Sequence, residues 1–242
     1  MPGVAFQAAF AAQGACVPMS NDTTLNVRLL DDWSIRSVRW QPINAAPAVE
    51  VRQHILDTAM PILLGKGFSA VGLNEILAAA RVPKGSFYHY FGSKEAFGEA
   101  LLTSYFTEYE ERLEAQLANR TGTPATRLIG YFEAWRVAQC ADGPDGKCLA
   151  VKLGAEVSDL SEPMRTVLRR GTDEIVGRIA ACIEEGRADG SLAGVSDAAV
   201  TAAALYQLWL GATLMEKIRR DRSPLDAAMA TTRQLLNLPP GA

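Results

Sequence analysis

One stretch, Ala80–Phe91, constrains the fold of this chain more than any other part of its sequence. Just before it, apolar residues recur every three or four positions, which predicts a short amphipathic helix over 72–80 with one buried face. Proline cannot sit inside a helix but suits its first turn, so Pro83 predicts that a second helix begins there, after a turn at Arg81 and Val82. Two short helices joined by such a turn form a helix-turn-helix.

The second helix has a predicted inner face and a predicted outer face. Phe87 and Phe91 lie four positions apart, so both should pack against the preceding helix. Gly85 and Ser86 keep the opening turn slim, which would let a phosphate or a base edge come close to the backbone. The residues that this arrangement turns outward are Lys84, Ser86, Tyr88 and His89.

The same residues carry a resemblance to a known family. The block Val82-Pro83-Lys84-Gly85-Ser86-Phe87-Tyr88-His89-Tyr90-Phe91, followed after one position by Ser93-Lys94-Glu95, resembles the DNA-binding signature of the TetR family of bacterial one-component repressors. The resemblance implies an all-α fold, with an N-terminal three-helix helix-turn-helix domain joined by a long helix to a C-terminal helical domain for effector sensing and dimerisation. It also implies a homodimer that binds an inverted repeat in double-stranded DNA.

The predicted DNA-binding residues are Asn74, Lys84, Gly85, Ser86, Tyr88, His89 and Lys94. Ser93 is the predicted N-cap of the helix that carries Lys94, and this lysine is expected to contact a phosphate. Over residues 46–100 the basic and acidic side chains are equal in number, and the whole chain has a net charge of −3 at pH 7. DNA affinity must therefore come from the local placement of charge rather than from a basic domain.

The chain divides into three predicted regions: a leader over 1–46, the helix-turn-helix domain over 47–95, and the sensing and dimerisation domain over 96–242. The leader lacks sustained periodicity and has no basic segment before its apolar opening, so we interpret it as disordered or weakly ordered rather than as a signal peptide. Its arginines and tryptophans between residues 28 and 40 are compatible with a mobile tail or with an arm along DNA. By sequence we find no apolar run long enough to span a bilayer, so we expect a cytoplasmic protein with no membrane partner.

Two apolar helices, predicted over 163–186 and 198–218, carry more apolar surface than one monomer would need to cover. The resemblance implies that they pair with their symmetry mates as a four-helix dimer interface. The alternative interpretation is that they form the core of a monomer. The residues that suit close packing on the second helix are Leu205, Leu208, Trp209 and Leu214, with the small Gly211 and Ala212 between them.

The four cysteines are Cys16, Cys140, Cys148 and Cys182. They form neither a CxxC pair nor a metal-ligand spacing with either histidine, so we expect no metal and no cofactor. Cys182 shares a helical face with isoleucines and is interpreted as a small core residue. Cys148 follows a Gly-rich turn and opens a predicted helix, where the helix dipole and the neighbouring Lys147 and Lys152 favour the thiolate. These features are typical of a reactive cysteine.

A second resemblance lies around Cys148. The segment 146–162, with Cys140 before it and Trp209-Leu210-Gly211-Ala212 after it, resembles the NemR-like branch of the same family and, less completely, AcuR. The branch responds to small-molecule electrophiles or oxidants through cysteine modification, which implies a sensing role for Cys148 and Cys140. Lys217, on the later apolar helix, either extends its ammonium group to the surface or pairs with Cys148, where it would favour thiolate and attack an oxidised sulfur.

Three hypotheses about function follow from these patterns. The first is a repressor that releases DNA when a cysteine is modified. The second is a repressor with a noncovalent ligand in an apolar pocket lined by Tyr131, Trp135 and Trp209. The third is a cysteine-dependent enzyme, which the sequence disfavours because both histidines, the candidate general bases, lie in the predicted DNA-binding half.

Overall fold

A computed structural model of this chain describes residues 48–118, 121–140 and 148–239. Within these residues it contains nine helices and no strand, which confirms the predicted all-α class. The predicted leader over 1–46 lies outside the described residues. The helices are α1 (Ala48–Lys66), α2 (Leu73–Ala80), α3 (Lys84–Phe91), α4 (Lys94–Leu117), α5 (Pro124–Cys140), α6 (Leu149–Leu160), α7 (Glu162–Ala188), α8 (Ala198–Arg219) and α9 (Ser223–Leu235).

Short polar side chains cap the N-termini of three of the longer helices. The Ser93 hydroxyl accepts a hydrogen bond from the Ala96 amide at 3.0 Å, which confirms the predicted cap of α4. Ser161 and Asp197 cap α7 and α8 in the same way. Each bond satisfies an amide that no helix carbonyl can reach, so these caps fix where the helices begin.

Helices α1, α2 and α3 share a small core, and we call this part of the molecule the head. Ile55 of α1, Ile76 of α2 and Phe87 of α3 are all fully buried. The Phe87 ring centroid lies 5.0 Å from that of Phe91 and 5.3 Å from that of Phe97. The predicted inward orientation of Phe87 and Phe91 is therefore confirmed, and the aromatic cluster also joins the head to α4.

The remaining helices form the body, in which α7 packs against α4, α5, α6 and α8. At the crossing of α4 and α7 the backbones come very close, since a Cβ built on Gly171 would lie 2.2 Å from the Phe106 ring. Helix α6 contacts α7 and α8 of the body and also α1 of the head. It is therefore placed between the two parts of the molecule.

Helix α8 differs from its prediction in the side chains that face outward. Leu205 and Trp209, named with Leu214 as suited to close helix packing, are fully buried inside this chain, whereas Leu214 is exposed. The exposed large apolar residues of the helix are Val200, Leu214, Met215 and Ile218. Because both faces of the helix are apolar, periodicity alone could not separate the face that packs inside the chain from the face that remains exposed.

Helix α8 also forms a longer apolar stretch than the sequence analysis expected. By length and composition alone, Ala198–Arg219 is long and apolar enough to cross a membrane, with 39% of its most apolar stretch buried inside the protein. The prediction that no apolar run reaches this length was wrong. Core helices of soluble proteins pass the same test, and α8 packs along both α7 and α9.

Candidate DNA-binding surface and cysteine site

The turn between α2 and α3 is built by Arg81 and Pro83. Arg81 adopts the left-handed conformation, with φ of 55°, and ends α2. The Val82 amide then donates to the Leu77 carbonyl at 3.1 Å, which closes the turn. Pro83 is the extended N-cap residue of α3, so the helix begins one residue later than predicted, at Lys84.

The outer face of α3 matches the predicted set of DNA-binding residues. Tyr88 is 46% exposed although it is large and aromatic, and the Lys84 ammonium lies 5.8 Å from the centre of its ring. Gly85 and His89 are exposed as well, whereas Ser86 is half-buried. Asn74 is exposed on α2. A helix end that exposes a lysine, a glycine and a tyrosine together suits an approach to phosphate and base edges.

Lys94 differs from the other predicted contacts because it has a partner inside the protein. Its ammonium donates to the Phe68 carbonyl at 2.9 Å and lies 4.7 Å from the centre of the Phe68 ring. The side chain is half-buried as a result. An ammonium group has three donors, so one bond to Phe68 leaves donors for a phosphate oxygen.

Cys148 is the N-cap residue of α6 and is only 8% exposed. Burial raises the pKa of its thiol, which is opposite to the net effect expected from its place at a helix start. The amides of Val151 and Ala150, the Tyr105 hydroxyl and the charge of Lys217 all act to lower this pKa, but they do not outweigh burial. The predicted influences of the helix start and of Lys217 are therefore present, and Lys147 lies outside the described residues. The predicted net preference for thiolate was wrong, because burial outweighs these influences.

Three tyrosines lie near this thiol, of which Tyr131 is buried and Tyr105 and Tyr109 are half-buried. Burial, followed by the charge on Cys148, raises the pKa of Tyr105 well above its ordinary value. The hydroxyl groups of Tyr109 and Tyr131 lie 2.6 Å apart, and burial raises the pKa of both. These tyrosines therefore stay neutral near pH 7, and the Tyr105 hydroxyl, as a hydrogen-bond donor to an ionised sulfur, acts to lower the pKa of Cys148.

The three aromatic residues predicted to line a ligand pocket do lie together. The ring centroid of Trp135 is 6.0 Å from that of Tyr131 and 5.8 Å from that of Trp209. All three are buried, and the indole nitrogens of Trp135 and Trp209 donate to Thr213 at 3.1 Å and Thr232 at 2.9 Å. Their polar atoms thus already have partners, which gives these rings a role in the core.

Cys140, which was predicted to take part in sensing, and Cys182, which was predicted to lie in the core, have different positions. Cys140 is the last residue of α5, and its side chain lies outside the described residues. Cys182 is buried as predicted, and burial raises its pKa to about 11. Within the described ranges, no group of three or more His, Cys, Asp or Glu side chains could hold a metal ion.

Sequence reasoning missed two residues that the structure brings to these sites, Tyr105 and Glu156. The Glu156 carboxylate, on α6, accepts hydrogen bonds from the amides of Phe68 at 3.0 Å and Ser69 at 2.6 Å in the head. Tyr105 has ordinary helical surroundings in the sequence. Both residues act on partners that are distant along the chain, so no local pattern marks them.

Both parts of the chain match known protein families, and the whole described fold has relatives of known name. Residues 55–101 match the family described as "Bacterial regulatory proteins, tetR family", and residues 124–232 match "Tetracyclin repressor-like, C-terminal domain". The chain is 40% identical to the HTH-type transcriptional repressor NemR of Escherichia coli over 78% of this chain and 96% of NemR. It is 33% identical to the transcriptional regulator AcuR of Cereibacter sphaeroides over 80% of this chain and 88% of AcuR.

The fold agrees with these sequence matches. The crystal structure of the reduced form of Escherichia coli NemR superimposes with a TM-score of 0.74, covering 77% of this chain and 96% of that chain at 40% identity. Both resemblances drawn from the motifs are confirmed, the closer one to NemR and the more distant one to AcuR.

Proposed function

The chain belongs to the TetR family of bacterial regulatory proteins, and on this premise we propose that it is a transcriptional repressor that leaves its operator when Cys148 is modified by an electrophile or an oxidant. The observation that carries the proposal is the surroundings of Cys148. The thiol lies at the start of α6, within the influence of the Tyr105 hydroxyl and of the charge of Lys217. Helix α6 in turn contacts the head.

DNA binding is assigned to the exposed face of α3 and to Lys94. Lys94→Ala should weaken binding to all sequences alike and lower the slope of log affinity against log salt by about one, because one phosphate contact is lost. Tyr88→Ala, by contrast, should change base preference or register. Selection of bound fragments from the source genome would supply the operator, and anisotropy titrations would then measure both variants. Wild-type binding by both variants would show that this surface is misassigned.

A second copy of the chain is the proposed partner at the exposed face of α8. Val200, Leu214 and Ile218 leave an apolar stripe there that one chain does not cover. A symmetric dimer carries two copies of α3, so it should protect an inverted repeat whose half-sites are one or more helical turns apart. Sedimentation of the protein with short duplexes checks this, and a monomer on a single half-site would contradict it.

Alkylation of Cys148 requires no further reactant. The thiolate adds to the double bond of an electrophilic alkene: a sulfur–carbon bond forms, the π bond breaks, and the adjacent carbon takes a proton from water. The adduct must fit where the thiol is only 8% exposed. Extra volume in a packed core costs typically about 1 to 3 kcal/mol, which is enough to shift a two-state equilibrium by roughly five- to a hundredfold.

Oxidation would use Lys217 as well. Hypochlorous acid converts the thiol to a sulfenyl chloride and water, so that two electrons pass from sulfur to chlorine. The Lys217 ammonium gives up a proton to water, its amine then displaces chloride from sulfur, and a second proton leaves the nitrogen, which gives a sulfur–nitrogen bond. Two equivalents of an added thiol return the two electrons, restoring the cysteine and the amine and forming a disulfide. Reductant should therefore restore DNA binding after oxidation but not after alkylation.

Operator anisotropy across a set of single variants tests this function. Cys148→Ser should stay bound after treatment with N-ethylmaleimide or hypochlorite, whereas Cys140→Ser and Cys182→Ser should still be released. Lys217→Ala should change the response to oxidant more than the response to alkylation. Full release of Cys148→Ser by the same dose would contradict the cysteine switch and favour a noncovalent ligand near Tyr131, Trp135 and Trp209.

A further inference from the structure

The carboxylate of Glu156 joins the body to the head. It accepts the Phe68 amide at 3.0 Å and the Ser69 amide at 2.6 Å, across sequence separations of 88 and 87 residues. Phe68 and Ser69 belong to the loop 67–72 between α1 and α2, which we call the head loop. Two amides held by one ionised carboxylate are charge-assisted hydrogen bonds, the stronger class of such bonds in proteins.

The shape of the head loop fits this contact. Gly67 has a φ of +94°, a conformation that residues with a side chain rarely adopt. A Cβ built on Gly67 would also lie 3.0 Å from the Glu156 Oε2 atom, closer than such contacts normally are. The loop therefore turns, at a residue without a side chain, so that its next two amides converge on the carboxylate.

The same loop holds Lys94 from its other side. The Phe68 amide donates to Glu156, while the Phe68 carbonyl accepts from the Lys94 ammonium at 2.9 Å. The Phe68 side chain is buried, and a Cβ on Gly98 of α4 would lie 2.8 Å from its ring. Phe68 is thus held firmly between a carboxylate of the body and a lysine at the DNA-binding surface.

Helix α6 connects Cys148 to this contact. Cys148 is its N-cap residue, and Glu156 lies eight positions further along the same helix. At 1.5 Å per residue the two positions are about 12 Å apart, and a helix of this length moves largely as a rigid rod. Partial burial of the Glu156 carboxyl acts to raise its pKa, but the hydrogen bonds from Ser69 and Phe68 lower it overall, so the carboxylate is ionised at pH 7.

We propose that Glu156 is the positioning residue through which α6 fixes the head loop and, through Phe68, the ammonium of Lys94. In the reduced protein the two amide bonds hold Lys94 where it faces phosphate. Modification of Cys148 displaces the start of α6, withdraws the carboxylate, and lets the head loop and Lys94 move, which lowers DNA affinity. The inference rests on the proposed function, because it assumes that Cys148 modification is the signal.

Hydrogen exchange of the head loop tests the contact without DNA. In the reduced full-length protein, the peptide covering 67–72 should exchange slowly, and N-ethylmaleimide should accelerate its exchange. Glu156→Ala should exchange fast before and after alkylation, and Glu156→Gln, with one acceptor oxygen in place of two, should be intermediate. Asp159→Ala, an exposed carboxylate one turn further along α6, is the matched control and should behave as wild type.

Operator binding then tests the consequence, with a labelled fragment recovered by genomic selection. The ratio of dissociation constants after and before alkylation should be about 5 to 150 for wild type, the usual range for coupled sites. For Glu156→Ala this ratio should fall to within about threefold of one, with weaker binding already in the reduced state, while Asp159→Ala keeps the wild-type ratio. Intact mass should show Cys148 alkylated at the same rate in all variants.

The two possible failures are distinguishable. If Cys148→Ser is released as fully as wild type, the proposed function fails and the inference with it. If wild type is released, Cys148→Ser stays bound, and Glu156→Ala keeps both the wild-type ratio and slow exchange over 67–72, the cysteine switch stands and the role of Glu156 is overturned.

Discussion

Two helix starts in this molecule use the same local structure for opposite purposes. Helix α3 begins at Lys84 after an extended Pro83, and α6 begins at Leu149 after an extended Cys148. At the first, Gly85 is exposed and a Cβ built on it would meet nothing within 4 Å, so the start of the helix is open to solvent. At the second, Cys148 is 8% exposed and its side chain makes no capping hydrogen bond, although the amides of Val151 and Ala150 act to lower the pKa of its thiol.

The difference lies in burial rather than in backbone chemistry. Both helix starts offer unsatisfied amides and the positive end of a dipole, which attract an anion. Where the amides are open they suit a phosphate that comes from outside. Where they are buried they stabilise a thiolate that the protein itself supplies, and burial raises the pKa of that thiol above its ordinary value.

The largest effect is expected from removing the ring that supports the open helix start. Phe87→Ala deletes a fully buried side chain that contacts Phe91 and Phe97, so unfolding free energy should fall by about 3 to 5 kcal/mol and DNA binding should be lost. Tyr88→Ala is the matched control, since this ring is 46% exposed and its loss should leave stability within about 1 kcal/mol. Urea unfolding measures both. Equal destabilisation would show that α3 is oriented differently.

At the buried helix start, the effect of Tyr105 on the Cys148 thiol gives the next largest change. Because the pKa of this thiol is raised, alkylation should speed up about tenfold per pH unit and should not level off as the pH approaches the ordinary value of a cysteine. Tyr105→Phe removes a hydrogen bond to the thiolate and should slow alkylation about tenfold at a given pH. The measurement is the rate of N-ethylmaleimide addition by intact mass between pH 6 and pH 9, about the range in which the rate is accessible. If Tyr131→Phe slowed alkylation by the same factor, the effect of Tyr105→Phe would come from changed packing rather than from the lost hydrogen bond.

A smaller change separates binding from stability at the open helix start. Gly85→Ala should raise unfolding free energy by about 0.5 to 1 kcal/mol, since alanine favours helix and its Cβ meets nothing within 4 Å. The same methyl group should lower operator affinity if the backbone lies against DNA. Thermal unfolding and anisotropy on one preparation check both effects. Unchanged affinity would mean that α3 does not approach the duplex by this end.

The smallest effect tests a site that belongs to neither helix start. Glu110 on α4 is partly desolvated and faces Glu174 of α7, and these two causes raise its pKa to about 7. Its folded-state pKa lies above the unfolded value, so its favourable contribution is complete below about pH 4.5 and declines as pH rises through 7. Glu110→Gln should flatten that decline in melting temperature and leave both DNA binding and Cys148 alkylation unchanged. A decline of the same size in the variant would assign the pH dependence to other groups.

The sequence predicted those features that depend on near neighbours. The turn at Arg81 to Pro83, the inward rings of Phe87 and Phe91, and the Ser93 cap each involve residues within a few positions, where helix periodicity and capping rules apply. In the structure α3 begins at Lys84, one residue after the predicted start at Pro83. Local rules are sufficient for this part of the head.

Features that depend on distant partners were not predictable in this way. The bond between Lys94 and the Phe68 carbonyl joins residues 26 positions apart, and Glu156 reaches the head across 88 positions. Likewise, a dipole argument predicted a favoured thiolate at Cys148, because nothing in the local sequence revealed how deeply the thiol is buried. The sequence also did not distinguish the buried face of α8 from its exposed face, because apolar residues occur on both.

On the proposed function, modification of Cys148, and of no other cysteine, removes this protein from DNA. This claim is tested most directly by titrating wild type with N-ethylmaleimide on a labelled operator fragment, and by measuring anisotropy and the peptide masses that report alkylation of each cysteine on the same samples. We predict that the released fraction rises in step with the fraction of protein alkylated at Cys148, and that Cys148→Ser remains bound throughout. Release that precedes Cys148 alkylation, or equal release of Cys148→Ser, would contradict the account.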